Sequence, residues 1–313
     1  MTRRYSENIQ EILNDFFFIQ RGYLNGNHFV YRGDPPILID TGYVADLNET
    51  ENLIAALGVD LTHIGLIINT HCHCDHIGGN RHIQDMSGCE TALHSIGKHF
   101  IDIRDDWSTW SRYYNQEAEF FQATYGLEDG EIVDIGPYRF EILHTPGHSA
   151  DGIVLFNRQE KVLLSSDTLW ENDVAAVTER IEGSRTVFSF IESLNSLQGL
   201  DVREVYPGHG RPFNDFAGAV GKSLTKLRKY LGDKAKLGND LIKKIMVYTL
   251  LMRRKVQEDD LYQELMQTFW YPETVDLYFQ GEYRRKYIQT IGELLDKKVI
   301  YRKDGFLYPG VKA

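Results

Sequence analysis

The chain has 313 residues, of which 42% are hydrophobic and 25% charged. This ordinary globular composition excludes wholesale disorder and suits two domains, or one large and one small. No stretch approaches the ~18 consecutive apolar residues of a membrane span, and the formal net charge of −11 weighs against a chain built mainly to coat nucleic acid.

Along the chain, residues 16–20, 28–31 and 37–40 read as strands, punctuated by Gly22, Gly26 and a turn at 33–36. The first twenty residues lack the apolar run and small-residue cleavage site of a leader, so none is expected. Residues 47–57 form a helix by the spacing of Leu47, Ile54 and Leu57. A buried strand at 64–69 runs into a histidine cluster, followed by a helix at 80–86 and a strand at 90–94. The stretch 95–130 then breaks the rhythm. It carries Trp107, Trp110, Tyr113, Tyr114, Phe120, Phe121 and Tyr125 without a strand signal. A helical insertion over the site is expected here, with Tyr113 and Tyr114 as candidates to contact an apolar substrate. Strands resume at 132–135, 140–144, 152–157 and 162–165, followed by a helix at 186–197 and a strand at 204–206. Two sheets with helices outside them make an α/β, four-layer αββα sandwich.

The segment 222–255 holds eleven Lys and Arg residues against Asp233 and Asp240, a net +9 that leaves −20 for the rest of the chain. It reads either as a nucleic-acid surface or as a basic segment docked on an acidic body, and the overall acidity favours docking. From about residue 238 the pattern turns helical, at 241–253, 258–269 and 282–295. Short apolar runs at 299–302 and 306–308 flank Asp304-Gly305, a strong hairpin signal. Three helices and a hairpin resemble a winged helix, so domains of 1–237 and 238–313 are expected. The three cysteines, Cys72, Cys74 and Cys89, argue against a disulfide framework and for a reducing, cytoplasmic setting.

The decisive segment is Thr70-His71-Cys72-His73-Cys74-Asp75-His76-Ile77-Gly78-Gly79-Asn80. In extended chain, positions i and i+2 point the same way, so His71 and His73 reach one metal. The chain then turns, and Asp75 and His76 address a second. Cys72 and Cys74 alternate with the ligands and read as structural filling. Three further strand ends offer His148 in a Pro-Gly-His loop, Asp167 after Ser165-Ser166, and His209 in a second Pro-Gly-His loop. Imidazole and carboxylate are ligands that zinc and iron accept.

This ordered set resembles the metallo-β-lactamase superfamily over residues 16–215, including the Asp40-Thr41-Gly42 turn and the Gly78-Gly79-Asn80 sequence. The resemblance implies two divalent metal ions, zinc before iron or manganese. His71, His73 and His148 would hold one ion, Asp75, His76 and His209 the other, and Asp167 would bridge them. A water shared by two metals becomes acidic enough to attack at neutral pH, with Asp75 as the catalytic residue that orients it. Trp170 stands where relatives carry an aromatic near the site, and His94, at a strand end, is a further candidate to line the pocket. His144 reads as a supporting residue.

Gly79-Asn80 and the run Ser166-Asp167-Thr168-Leu169-Trp170 look most like the glyoxalase II branch, which implies hydrolysis of a small ester, thioester or lactone. The glutathione-binding pattern of that branch is not found. Three alternatives stay open: a nuclease or phosphodiesterase, favoured by the basic segment; a mono-iron sulfur dioxygenase using His71, His148 and Asp167; and a DNA-binding regulator with a metal-binding sensor core. A small-molecule partner and a homodimer are the default expectations.

Overall fold

The computed structural model describes residues 7–313; the leader reading for the first six residues lies outside them. The chain opens with β1 (Ile9–Leu13), β2 (Phe16–Ile19), β3 (His28–Tyr31) and β4 (Ile37–Ile39), each antiparallel to the last. Helix α1 (Leu47–Ala56) leads to β5 (Leu66–Ile68). The single turn α2 (Cys74–Ile77) and then α3 (Asn80–Ser87) lead to β6 (Glu90–His94), and α4 (Ser95–Asp102) precedes β7 (Tyr125–Leu127). These strands form one sheet in sequence order, parallel from β4 to β7.

A second sheet follows from β8 (Ile132–Ile135), β9 (Tyr138–His144), β10 (Ile153–Asn157) and β11 (Val162–Ser166). After α5 (Glu179–Glu182) and α6 (Thr186–Leu197), the strand β12 (Glu204–Pro207) pairs parallel with β11. Helices α7 (Phe216–Gly232) and α8 (Lys234–Arg253) come next, then β13 (Val256–Gln257), α9 (Glu258–Met266), α10 (Trp270–Phe279), α11 (Tyr283–Asp296), β14 (Ile300–Lys303) and β15 (Phe306–Pro309). The last three strands form a small sheet in the order β13-β15-β14.

Strand alternation sorts the core into layers. In β2, Phe16 and Phe18 point between the sheets to meet Phe140, Ile142, Ile153 and Leu164. Phe17 and Ile19 point outward, to Ile54 of α1 and Ile83 of α3. On the far side, Val154 and Leu163 of the second sheet pack against Phe190 and Leu194 of α6 and Leu224 and Leu227 of α7. The result is helix, sheet, sheet, helix, the four-layer sandwich. Among the described residues no helix is long and apolar enough to cross a membrane.

The structure corrects four readings. β1 escaped notice because it is an edge strand whose middle residues face solvent. β7 is a three-residue edge strand inside the supposed insertion. α10 fills a stretch left without an element, with Pro272 in its first turn, where a missing N–H is tolerated. The insertion itself is helical only in α4; residues 103–124 are turns and loop. The aromatics there recur at near-helical spacing, but Arg104, Trp110 and Asn115 sit in left-handed backbone conformation, which interrupts any right-handed helix. Instead of a free lid, this stretch is a joint. Trp110, Tyr113 and Tyr114 share one apolar cluster with Leu241, Ile245, Trp270 and Val275 of the C-terminal helices.

The boundary expected at 237/238 falls inside α8, which runs unbroken from Lys234 to Arg253. Several basic residues of α7 and α8 face acids: Lys226 of α7 and Lys244 of α8 meet Asp240 of α8 at 2.9 and 2.6 Å, Lys234 pairs with Glu179, and Lys243 lies 3.2 Å from Glu293. Burial raises the Asp240 carboxyl, but Lys244 and Lys226 outweigh it and hold the group at about 2. Asp240→Asn would strand a buried ammonium. Removing one partner of a buried pair costs about 3–5 kcal/mol, and the low end is expected because Asp173 still faces Lys244 at 3.4 Å. A lower midpoint in urea unfolding checks this; an unchanged midpoint would mean that the network adds no stability.

Candidate metal centre

The site is assembled at one edge of the two sheets, where β5, β9, β11 and β12 end. Residue 73 is still extended, with φ −66° and ψ 147°, and α2 begins immediately after it. That switch turns Asp75 and His76 away from the direction of His71 and His73. The two sheets meet at this rim, where Ile153 N donates to the Thr70 carbonyl at 2.9 Å. Parallel pairing sets Ser166 opposite Pro207, which brings Asp167 beside His209.

All seven expected groups are brought together. Ligand atoms of His71, His73 and His148 lie within 4.8 Å of one another, as do those of His71, His76 and Asp167, and those of Asp75, His76 and His209. Asp167 stands between the sets: its Oδ2 is 3.3 Å from His148 Nε2 and 3.7 Å from His209 Nε2, and its Oδ1 is 3.8 Å from His76 Nε2. Asp75 Oδ2 is 3.1 Å from His209 Nε2.

Four of the five imidazoles are held from behind, so that one ring nitrogen is left facing the centre. His76 Nδ1–H donates to Asp40 at 2.8 Å, His148 Nδ1–H to the Ala176 carbonyl at 2.7 Å, and His209 Nδ1–H to the Gly22 carbonyl at 3.3 Å. Those partners are acceptors only, which fixes the proton on Nδ1 and leaves Nε2 as the free donor of electrons. His71 Nδ1 faces the Thr70 hydroxyl at 3.2 Å. His73 is turned the other way. Its Nδ1 lies 2.9 Å from His148 Nε2, and its Nε2 faces Glu182 at 3.6 Å. His71 Nε2 and His76 Nε2 are buried without any hydrogen-bond partner. Orphaned nitrogens of this kind are costly unless something else binds them, and a cation suits them.

The electrostatics agree. Burial holds His71, His73 and His148 below the ordinary histidine value, so they are neutral, the form that binds a metal. At His76 and His209 burial is outweighed by carboxylates, Asp75 and Asp40 for the first and Asp167 and Asp75 for the second, which raise both. Burial works against the Asp167 carboxylate, but His209 and His76 hold its pKa well below the usual range. The carboxylates thus favour the protonated form of His76 and His209, and a bound cation would displace those protons.

Supporting residues were only partly foreseen. Asp40, in left-handed backbone conformation at φ 58°, accepts from Thr70 N at 2.8 Å and Thr70 Oγ1 at 2.7 Å as well as from His76. The Asp40-Thr41-Gly42 turn marked its place but not its task. Trp110 stacks on His73 with ring centroids 3.9 Å apart; it was one of seven aromatics with nothing to single it out. Glu182 and Tyr248 carried no signal at all. A side chain at Gly26 would stand 2.7 Å from the His76 ring, so only glycine fits there.

The four proposed lining residues divide. Trp170 donates its Nε1–H to Asp167 Oδ1 at 3.2 Å, and its ring lies 5.3 Å from that of His209. It walls a cavity of about 340 Å³ together with Tyr23, His209 and Tyr248. Tyr113 and Tyr114 are each 1% exposed and sit in the joint with the C-terminal helices, Tyr113 bonded to Glu273 at 3.2 Å; neither lines that cavity. His94 stacks on His144 at 3.9 Å and caps α4 through Ile96 N, away from the cluster. Cys72 and Cys74 are buried among apolar side chains, the latter 2.7 Å from Gln116 Oε1.

The family model of the metallo-beta-lactamase superfamily matches residues 21–209. The chain belongs to this superfamily. Among relatives, it is 26% identical over 214 residues to the Beta-lactamase-like protein 2 homolog of Caenorhabditis elegans, which covers 67% of this chain and 62% of the relative. It is 25% identical over 232 residues to the Acyl-coenzyme A thioesterase MBLAC2 of Gallus gallus, covering 64% and 78%. The chain therefore spans less than two thirds of the nematode relative's length. A metallo-beta-lactamase family protein of Thermus thermophilus has the same fold, with a TM-score of 0.62 at 18% identity over 96% of this chain and 100% of its own. The subclass B3 enzyme BJP-1 of Bradyrhizobium japonicum superposes over 76% of this chain and 97% of its own, with a TM-score of 0.59 at 18% identity. The His and Asp groups gathered here suit divalent metal ions.

Proposed function

We propose that this chain is a metal-dependent hydrolase of small thioesters, with esters and lactones as related substrates. The observation that carries the reading is the pair of three-residue ligand sets flanking Asp167, with buried inner nitrogens that no protein group satisfies. His71, His73 and His148 would hold one ion, Asp75, His76 and His209 the other, and Asp167 would bridge them. Zinc is the ion we propose, because three protein ligands per metal with a place left for water is the usual arrangement of a catalytic zinc site. A mono-iron arrangement on His71, His148 and Asp167 would leave Asp75, His76 and His209 without a task.

Bound there, the ions would supply Lewis-acid polarisation of the substrate carbonyl and a water acidic enough to attack at neutral pH. Asp75 would orient the attacking water and accept its proton. The water oxygen bonds to the acyl carbon, the C–S bond breaks, and the proton leaves with the thiol. Trp110 covers the His73 face, and Asp40 and Thr70 hold the base of the cluster. Relatives named as acyl-coenzyme A and carboxyl ACP thioesterases support the thioester assignment. The pairing of Lys226, Lys234, Lys243 and Lys244 with acids favours this reading over a nuclease. For the C-terminal part we propose a winged helix, supported by the helix-strand-helix order from α8 to β15 and the strand order β13-β15-β14; its role here is to wall the site. The three unpaired cysteines suit a cytoplasmic enzyme.

The test is release of free thiol from acyl thioesters by the zinc-loaded enzyme, lost on chelation and restored by zinc. A zinc-loaded chain inert toward thioesters, esters and lactones alike would refute the proposal. Glu182 gives a second check. Burial and then Asp151 push its carboxyl up to about 8; it accepts from Ala150 N at 2.7 Å and packs 3.6 Å from His73 Nε2. Loss of such an outer contact weakens metal binding by about 10–100-fold, so Glu182→Ala, which removes the neutral carboxyl altogether, is expected to lose zinc to a chromogenic chelator at correspondingly lower chelator concentration. Unchanged retention would remove Glu182 from the site.

A further inference from the structure

The cavity beside His209 has a composition that the metal cluster does not explain. Its walls are the rings of Tyr23, Trp170 and Tyr248. Three charged residues also line it, Arg21, Asp173 and Lys312, and the first two are already engaged. The Arg21 guanidinium bonds Thr50 at 2.6 Å and faces Glu49 at 3.4 Å, and Asp173 pairs with Lys226 and lies 3.4 Å from Lys244. At about 340 Å³ it stands at the low end of the 300–1,000 Å³ common for ligand pockets. It is therefore a small apolar slot, too small for a whole carrier-bound substrate and opening directly onto a metal-facing histidine.

Two walls are fixed and one comes from outside the hydrolase core. Trp170 is anchored by its bond to Asp167 and by the Lys244 ammonium 5.7 Å from its ring centre. Tyr248 belongs to α8, is 5% exposed, and sets its ring 6.2 Å from that of Tyr23. Its position thus lies between the slot and the cluster, on the wall shared with His209.

We infer that this slot receives the acyl group of the substrate, an aromatic or medium-chain alkyl acyl, and that Tyr248 of α8 is the residue that sets its size. The inference rests on the thioester reading above and adds the acyl class and the part played by α8. A hydrophobic slot discriminates about 10–200-fold per methylene-sized change.

The experiment compares kcat/KM for acetyl, hexanoyl, octanoyl and phenylacetyl thioesters of one common thiol, and measures phenylacetate binding by quenching of tryptophan fluorescence. The wild-type enzyme is expected to prefer phenylacetyl and hexanoyl over acetyl by about 10-fold or more. Tyr248→Ala should move the preference toward octanoyl by about 10-fold or more and weaken phenylacetate binding. Tyr23→Ala, at a position 38% exposed and so harmless to folding, should weaken phenylacetate binding in the same direction. A flat acyl profile, or a Tyr248→Ala enzyme with the wild-type ranking, overturns the inference while leaving thioester hydrolysis standing. If no thioester is cleaved, the functional reading fails, and phenylacetate binding that ignores both tyrosines overturns the slot separately.

Discussion

Asp75→Ala is expected to reduce turnover by about 10²–10⁴-fold, the usual contribution of a positioned general base, with the fold retained. Asp75 sits in the first turn of α2, and its carboxylate meets only His209 at 3.1 Å and His76 at 3.7 Å, both members of the cluster. No scaffold hydrogen bond of its side chain is lost on truncation. Its backbone carbonyl still accepts from Gly26 N at 3.0 Å, so the loop that shapes the site stays closed. Steady-state kinetics and near-ultraviolet circular dichroism together check this. Asp75→Asn separates the two duties of the residue: it keeps the shape, loses the proton acceptor, and should be nearly as inactive. Full activity in either variant would strip Asp75 of its role.

The second large effect is metal removal. Without a cation, the inner nitrogens of His71 and His76 are buried and unsatisfied, and the facing nitrogens of His73 and His148 lie 2.9 Å apart. Either those lone pairs repel or a proton must be found. A ligand present at about 1,000 times its Kd adds about 4 kcal/mol to stability, so chelation should lower the melting temperature of the sandwich by roughly 2–4 °C for each kcal/mol lost. Activity should vanish in parallel. Differential scanning calorimetry with chelator and with added zinc reads the shift. A melting temperature indifferent to both would mean that the cluster satisfies itself without metal.

Much of this was written in the chain, and the reason is local. His71, His73, Asp75 and His76 are close in sequence, and the strand-to-helix switch at residue 73 converts their spacing directly into two directions. His148, Asp167 and His209 each follow a strand and sit in a tight turn, so strand ends announced them. The sandwich was legible because short apolar runs such as Phe16–Ile19, bounded by turn residues, are an intrinsic signal of a strand with two buried faces.

What the sequence hid depends on contacts between distant segments. Tyr113 and Tyr114 looked like pocket residues by type, yet Trp270 and Val275, more than 150 residues on, claim that surface as a joint. Trp110 lies among the same aromatics and alone reaches His73 in a stack, because its left-handed backbone conformation redirects the ring. Glu182 approaches His73, and Tyr248 approaches the slot, only through the packing of α5 and α8. Neither has a spacing or a motif to betray it. The positive charge of 222–255 misleads in the other direction, since Asp173, Glu179, Asp240 and Glu293 absorb much of it.

The most direct measurement is the metal content of the purified chain by elemental analysis after zinc loading and dialysis. About two ions per chain are expected, as for other two-metal hydrolytic sites, falling to about one when His209 is replaced by alanine and to none when both His71 and His76 are. A dialysed chain that retains no divalent metal, or a stoichiometry untouched by those substitutions, would contradict the assignment of the site.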